Sequence, residues 1–250
     1  MENETLFKEF YSYVRENIVP FFSKEMCRKF EIYFHEINKW SDTLNLISIK
    51  NEKDIIYRHF CDSLYSTKVI NSINNNKFSY LNVADIGTGS GMPGVPVKIS
   101  LPNIKLTLIE SITKKCKFLE NINNKLEFNI KILNKRAEEV GRDSTYRQKY
   151  DFVLSRAVSK FSPNLEISIP LLKVGGYFIV YKTKRSIESL KEGTSSIKNS
   201  LKCLGAKIEQ TIFYNLPEQK LNYCILVFRK YKNTPSSFPR KSEIYKKNPL

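Results

Sequence analysis

Asp85 is followed by glycines at 87, 89, 91 and 94 in the stretch "ADIGTGSGMPGVP". Glycine lets backbone pass close to a ligand, because no Cβ stands in the way. Read from Gly89, the spacing satisfies G-x-G-x-x-G, the fingerprint of dinucleotide binding. Asp85 points elsewhere. A pyrophosphate placed against the loop would meet a fixed negative charge in a poorly solvated place. S-adenosylmethionine carries no phosphate and offers an ammonium and a sulfonium, for which the acid is an attraction. Gly87, Gly89 and Gly91 are therefore expected to pass along that ligand, and a nicotinamide or flavin oxidoreductase, or a non-catalytic RNA-binding module, stays as the alternative. The next apolar run, "IKLTLIE", ends in Glu110, placed to accept hydrogen bonds from ribose hydroxyls in either class.

The acceptor is approached by exclusion. The run "YDFVLSR" leads into "AVSKF" with no Asn/Asp-Pro-Pro-aromatic motif for an exocyclic amine, and none of the five cysteines follows a proline as a ring-attacking thiolate would. The two histidines, His35 and His59, have no partner at metal-ligand spacing, so no metal is expected. What remains is an atom with its own lone pair, such as guanine N7, whose alkylation needs alignment more than a base. Other RNA or protein acceptors stay open at this point. Arg58, His59 and Lys182 are the candidates on the acceptor side, with Asp62 beside them; a solvated helix face and a plain surface lysine are the competing accounts.

Two kinds of element must position these residues. From Leu6 to about Val69 apolar residues recur at helical spacing, as in Phe7, Phe10, Tyr11 and Val14, and Pro20 interrupts them. Three helices are expected, the third over residues 51–69 with Ile55, Ile56, His59, Phe60 and Leu64 on its apolar side. The aromatic face of residues 7–40 reads as core. Polar "NSINNNKFS" at 71–79 reads as a linker, dividing a helical cap at 1–70 from a domain at 71–250. After Tyr80 short apolar runs alternate with helical segments, the signature of a parallel α/β sheet. The last two runs lie only a few residues apart around "NLPEQK", a gap that suits a hairpin. The expected sheet has seven strands, mostly parallel, with one antiparallel.

Composition sets the partners. The 250 residues carry 41 Lys and Arg against 25 Asp and Glu, a formal charge of +16, which steers polyanions to the surface. The clusters "KTKR" (182–185) and the tail "RKYKN" to "PRKSEIYKKNPL" are expected to meet phosphates. No basic amphipathic helix suits a membrane surface, and no apolar run suits a span. Five cysteines without a C-x-x-C pair read as reduced thiols. "MENETLFKEF" reads as no secretory signal, and a cytoplasmic location is expected.

Taken together these segments resemble the bacterial small-subunit ribosomal RNA guanine-N7 methyltransferases, the RsmG family. The likeness runs from Trp40 to Leu250. "KWSDTLNLISIKNEKDIIYRHFCDSL" is similar to the family's W-N…N-L-T stretch followed by R-H…D-S. "DIGTGSGMPGVPVKISLP" is similar to D-x-G-T-G-x-G-x-P-G-x-P, and "RAEE", "SRAV", "LLKVGG" and "FPRKSEIYKKNPL" fall in register. The chain departs from the pattern at Ser41, Ile47, Ile112-Thr113 and Thr183. The resemblance implies a class I, Rossmann-like methyltransferase core and S-adenosylmethionine contacts at Gly87, Met92, Ala137, Glu138 and Arg156. It implies N7 methylation of one guanine in the decoding-region loop of 16S rRNA. The expected partner is that rRNA, the small subunit or an assembly intermediate, and the expected state a monomer.

Overall fold

Short apolar strands buried on both faces organise the molecule. The computed structural model describes residues 2–41, 43–44, 46, 51–75, 80–156, 161–183, 194–217 and 223–250. Ile47, Lys184 and Arg185 of the readings above, and residues 76–79 of the linker, lie outside them. Seven strands are formed: β1 (Asn82–Ile86), β2 (Lys105–Ile109), β3 (Lys131–Leu133), β4 (Tyr150–Ser155), β5 (Leu172–Thr183), β6 (Ala206–Tyr214) and β7 (Tyr223–Lys230). They lie in the order β3-β2-β1-β4-β5-β7-β6. The pairs from β3 through β5 are parallel, while β7 runs antiparallel to both β5 and β6. The expected single antiparallel strand is therefore β7. Parallel strands need cover on both faces, which is why β1 and β2 read as nearly continuous apolar runs.

One face is covered by α1 (Glu2–Asn17), α2 (Lys24–Ser41), a helical turn α3 (Glu52–Asp54), α4 (Asp62–Ile73), α5 (Gly94–Ser100) and α6 (Thr113–Lys125). Their apolar side chains share one core with the sheet. Phe7, Phe10, Phe22, Phe30, Phe34 and Phe60 are all buried there, with Phe30 and Phe60 centroids 5.0 Å apart, so the aromatic face is core. The other face carries α7 (Ala137–Arg142), α8 (Phe161–Ser168), α9 (Thr194–Leu204) and α10 (Ser242–Lys247).

The third expected helix differs in kind. Asn51 caps it by accepting from the Asp54 amide, but Ile55–Cys61 is wound as a π-helix before α4 begins. The wider turn shifts the face, and His59 is only half-buried where Ile55, Ile56 and Phe60 are buried. Segments of this kind recur at functional sites.

The basic tail also departs from expectation. Arg147 donates to the carbonyls of Gly141, Phe238, Thr234 and Pro235, and Arg142 to that of Pro239. Lys230 is buried, with its ammonium on the carbonyls of Ile169 and Leu172; burial lowers it to about 8. Arg240 forms a two-pronged pair with Glu166, whose side chain is fully buried, and its amide donates to the same carboxylate. Part of the charge counted as surface is thus internal structure. Arg240→Met leaves a buried carboxylate unpaired and should cost about 3 kcal/mol in urea unfolding. Lys241→Ala, on an exposed neighbour, should stay within about 0.5 kcal/mol. Equal effects would mean the pair does not hold the tail.

Candidate active site at the carboxyl edge of the sheet

The chain leaves β1 toward β2 on one side while β4 lies on the other, and ligands of open α/β sheets bind at such a reversal, beyond the strands' carboxyl ends. The glycine loop occupies this position. Gly87, Gly89 and Gly91 have φ of 61°, 60° and 97°, the left-handed region that glycine adopts without strain. Asp85 lies beneath the loop, fully buried. Its Oδ2 accepts from the Thr88 hydroxyl (2.5 Å) and from the Gly94 amide (2.8 Å). A Cβ on Gly94 would stand 2.9 Å from that oxygen and 2.7 Å from Leu108. The close approach demands glycine.

Asp85 Oδ1 is buried and has no hydrogen-bond partner among the described residues. Burial raises the carboxyl to about 7, against the opposing hydrogen bonds from Thr88 and Gly94 and the charge of Arg156. Such an oxygen wants a cationic donor and repels a phosphate, so the residues fit an ammonium-bearing ligand. The sequence places Asp85 facing the ligand; the structure divides it between holding the loop and this open oxygen.

Glu110 closes the other side. Its Oε2 accepts from the Gly89 amide and its Oε1 from the Ile112 amide, both at 2.9 Å. One lone pair per oxygen remains for a ligand hydroxyl. Beyond it, a cavity of about 190 Å³ is lined by Gly87, Ala137 and Glu138, with Tyr245 and Lys246 from α10. The segment "RAEE" starts α7 with a box in which the Glu139 carboxylate accepts from the Arg136 amide.

Arg156, just past β4, joins this loop to the π-helix. Its Nη1 donates to Asp62 Oδ2 (3.1 Å) and to the His59 carbonyl (3.3 Å). Its Nη2 donates to His59 Nδ1 (2.6 Å) and reaches Met92 Sδ at 3.5 Å. A guanidinium only donates, so His59 accepts at Nδ1 and carries its proton on Nε2. Asp62 Oδ1 accepts from Tyr214 of β6, and Tyr181 of β5 donates to the Ser63 carbonyl. Burial raises Asp62, with Arg156 and Tyr214 pulling the other way. The Tyr181 and Tyr214 hydroxyls are pushed well up by burial and by Asp62, and neither suits proton removal near neutral pH.

Arg156, His59, Asp62 and Met92 are thus brought together, with Arg58 half-buried on the same π-helix. Lys182 is not among them. Tyr181 takes the face toward α4, so alternation sends Lys182 to the other, where its ammonium lies 5.5 Å from the Phe161 ring centroid. Tyr33 and Tyr214 were not singled out from sequence. The Tyr33 hydroxyl donates to the Ser90 carbonyl at 2.5 Å and supports the loop from α2. Isolated tyrosines in helical or strand patterns carry no signal of such reach. Among the described residues no group of His, Cys, Asp and Glu is arranged to hold a metal, and no helix is long and apolar enough to cross a membrane.

Known proteins resemble this chain in fold and, more closely, in sequence. A methyltransferase from Galdieria sulphuraria superposes with a TM-score of 0.51 at 14% identity, over 82% of this chain and 99% of that one, a likeness of fold alone. Proteins named ribosomal RNA small subunit methyltransferase G are much nearer in sequence. The one from Acetivibrio thermocellus is 37% identical over 227 residues, covering 90% of this chain and 89% of its own. That from Alkaliphilus oremlandii is 38% identical over 213 residues, 85% of each chain. The family model described as rRNA small subunit methyltransferase G matches residues 26–211. With the glycine loop, the "RAEE" segment and Arg156 all inside that match, this chain belongs to the rRNA small subunit methyltransferase G family.

Proposed function

We propose that the protein transfers a methyl group from S-adenosylmethionine to N7 of one guanine in the decoding-region loop of 16S rRNA, in the cytoplasm. The observation that carries this reading is the buried Asp85 oxygen beneath the glycine loop, to which no described residue donates. It favours an ammonium-bearing ligand over the pyrophosphate of NAD or a flavin. In this reading Asp85 receives the ammonium, and Gly87, Gly89, Gly91 and Met92 line the amino-acid arm. Glu110 takes ribose hydroxyls, and Ala137 and Glu138 border the nucleobase. S-adenosylmethionine, when bound, supplies an electrophilic methyl group on a sulfonium.

The rest is the work of this chain's residues. Guanine N7 owns an in-plane lone pair, so bond formation there releases no proton, and the ring gains a positive charge. No side chain has to act as base. Arg156 holds His59 and Met92 in one orientation at the edge of the loop, and alignment of that kind supplies much of the rate. The π-helix carrying Arg58 and His59 is the acceptor-side wall. Residues 1–70 serve as a cap over the methyltransferase domain at 71–250, and the excess of Lys and Arg draws in the RNA.

The cofactor assignment has a pH signature. Folded Asp85 sits at about 7 against 3.8 for its ordinary value. The native state therefore binds more protons than the unfolded one between these limits, and this group's contribution to stability falls as pH rises through about 7. A cationic ligand selects the carboxylate. S-adenosylhomocysteine affinity should rise as pH passes through about 7 and level about one unit above it, with proton release at pH 6 in calorimetry. Asp85→Asn should weaken binding roughly tenfold to hundredfold, the yield of a charge-assisted contact, and remove the pH dependence. Tight NAD binding, or a variant that behaves like the parent, would overturn the assignment.

The acceptor atom is tested separately. RNA with 7-deazaguanine at the target should bind within about twofold of normal, since only one ring atom changes, and accept no methyl group. Methylation of that RNA would exclude N7.

A further inference from the structure

We infer that the C-terminal helix α10 is a wall of the nucleobase subsite, and that Tyr245 is a positioning residue that sets the Glu138 carboxylate to accept from the exocyclic amine of adenine. This rests on the S-adenosylmethionine reading and goes beyond it. The cavity that borders Gly87 and the start of α7 is completed by Tyr245 and Lys246, some hundred residues further along the chain. Tyr245 is buried, and Glu138 is buried beside it. Burial first, then the charge of the Glu138 carboxylate and a hydrogen bond to it, raise the Tyr245 hydroxyl to about 12. The hydroxyl therefore stays protonated and donates.

The wall is fastened at both ends. Ahead of α10, Arg240 grips Glu166 and the Pro239 carbonyl accepts from Arg142. Behind it, the Leu250 carbonyl accepts from Ser162. Ser162 and Glu166 belong to α8 and Arg142 to α7, so these two helices anchor the segment. A carboxylate with one oxygen engaged by a tyrosine has a fixed plane, and its free oxygen presents an acceptor to the cavity. An acceptor there recognises an amine and rejects a carbonyl. Adenine carries the amine at that edge of the ring; hypoxanthine carries a carbonyl.

The test compares S-adenosylhomocysteine with S-inosylhomocysteine by calorimetry on the full chain. The parent should prefer the adenosyl compound by about tenfold or more, the yield of one hydrogen bond to a charged group. Tyr245→Phe keeps the ring and its packing. It should lower S-adenosylhomocysteine affinity roughly five- to tenfold while changing S-inosylhomocysteine less than about twofold, so that the preference narrows. Glu138→Gln should narrow it as well. In the parent protein, saturating S-adenosylhomocysteine should slow hydrogen exchange at residues 243–248. Parent binding with an unchanged preference in Tyr245→Phe, or with no protection of α10, would overturn the wall and leave the cofactor reading standing. Failure of the parent to bind either compound would overturn both.

Discussion

A fully buried carboxylate lies beneath the glycine loop, and the ligand edge takes its form from the way that charge is satisfied. Asp85 Oδ2 draws the Thr88 hydroxyl and the Gly94 amide to one point, which folds the loop back on the end of β1. Gly94 must come that close, and has no Cβ to prevent it. Glu110 then takes the Gly89 amide, and Tyr33 the Ser90 carbonyl. Three side chains, from β1, from just past β2 and from α2, thus fix the loop between its left-handed glycines. The arrangement has a cost, because none of the described residues donates to Asp85 Oδ1. Any ligand that supplies one relieves the strain on that charge, and binding and folding reinforce each other.

Arg156 extends the same order outward. It holds Asp62 and His59 from the N-terminal helices against the end of β4, and Asp62 is shared with Tyr214 of β6. Ser66 and Tyr181 hydrogen-bond across the same seam, and the Tyr65 and Tyr214 rings stack at 3.8 Å. A buried ion pair adds little net stability once its desolvation is counted. Its effect here is on orientation: His59 is held in one tautomer, and the π-helix in one register against the loop.

Much of this was legible in the sequence, and the reasons differ by element. β1, β2 and β4 are apolar runs flanked by turn residues, and the hairpin of β6 and β7 was legible because the gap between them is too short for a crossover. Asp85 and Glu110 stood out because an acid at a strand's end has little structural excuse. The π-helix was not legible, since Ile55–Cys61 has an ordinary helical stripe and nothing in it announces a wider turn. That stripe put His59 among the apolar residues, whereas Arg156, nearly a hundred residues later, draws it to the site. Lys182 was placed at the right edge, but one step of strand alternation separates it from Tyr181 and from the cluster. The tail misled for a simpler reason. Composition counts charges without saying which carbonyls or carboxylates they meet, and Lys230 and Arg240 meet theirs inside.

The protonation states around the loop bear on the chemistry such an edge can perform. A general base works best when it titrates near the working pH and reaches the proton it removes. Tyr181 and Tyr214 are pushed far above that range by burial, and Asp62 is engaged on one oxygen by Arg156 and on the other by Tyr214. His59 Nδ1 faces a permanent cation. Asp85 has the suitable value, about 7, but lies beneath the loop with one oxygen committed to Thr88 and Gly94. Each of these groups is therefore occupied in holding another residue still. An edge built this way suits an acceptor that arrives with its lone pair ready and loses no proton on reaction, which is the demand that guanine N7 makes.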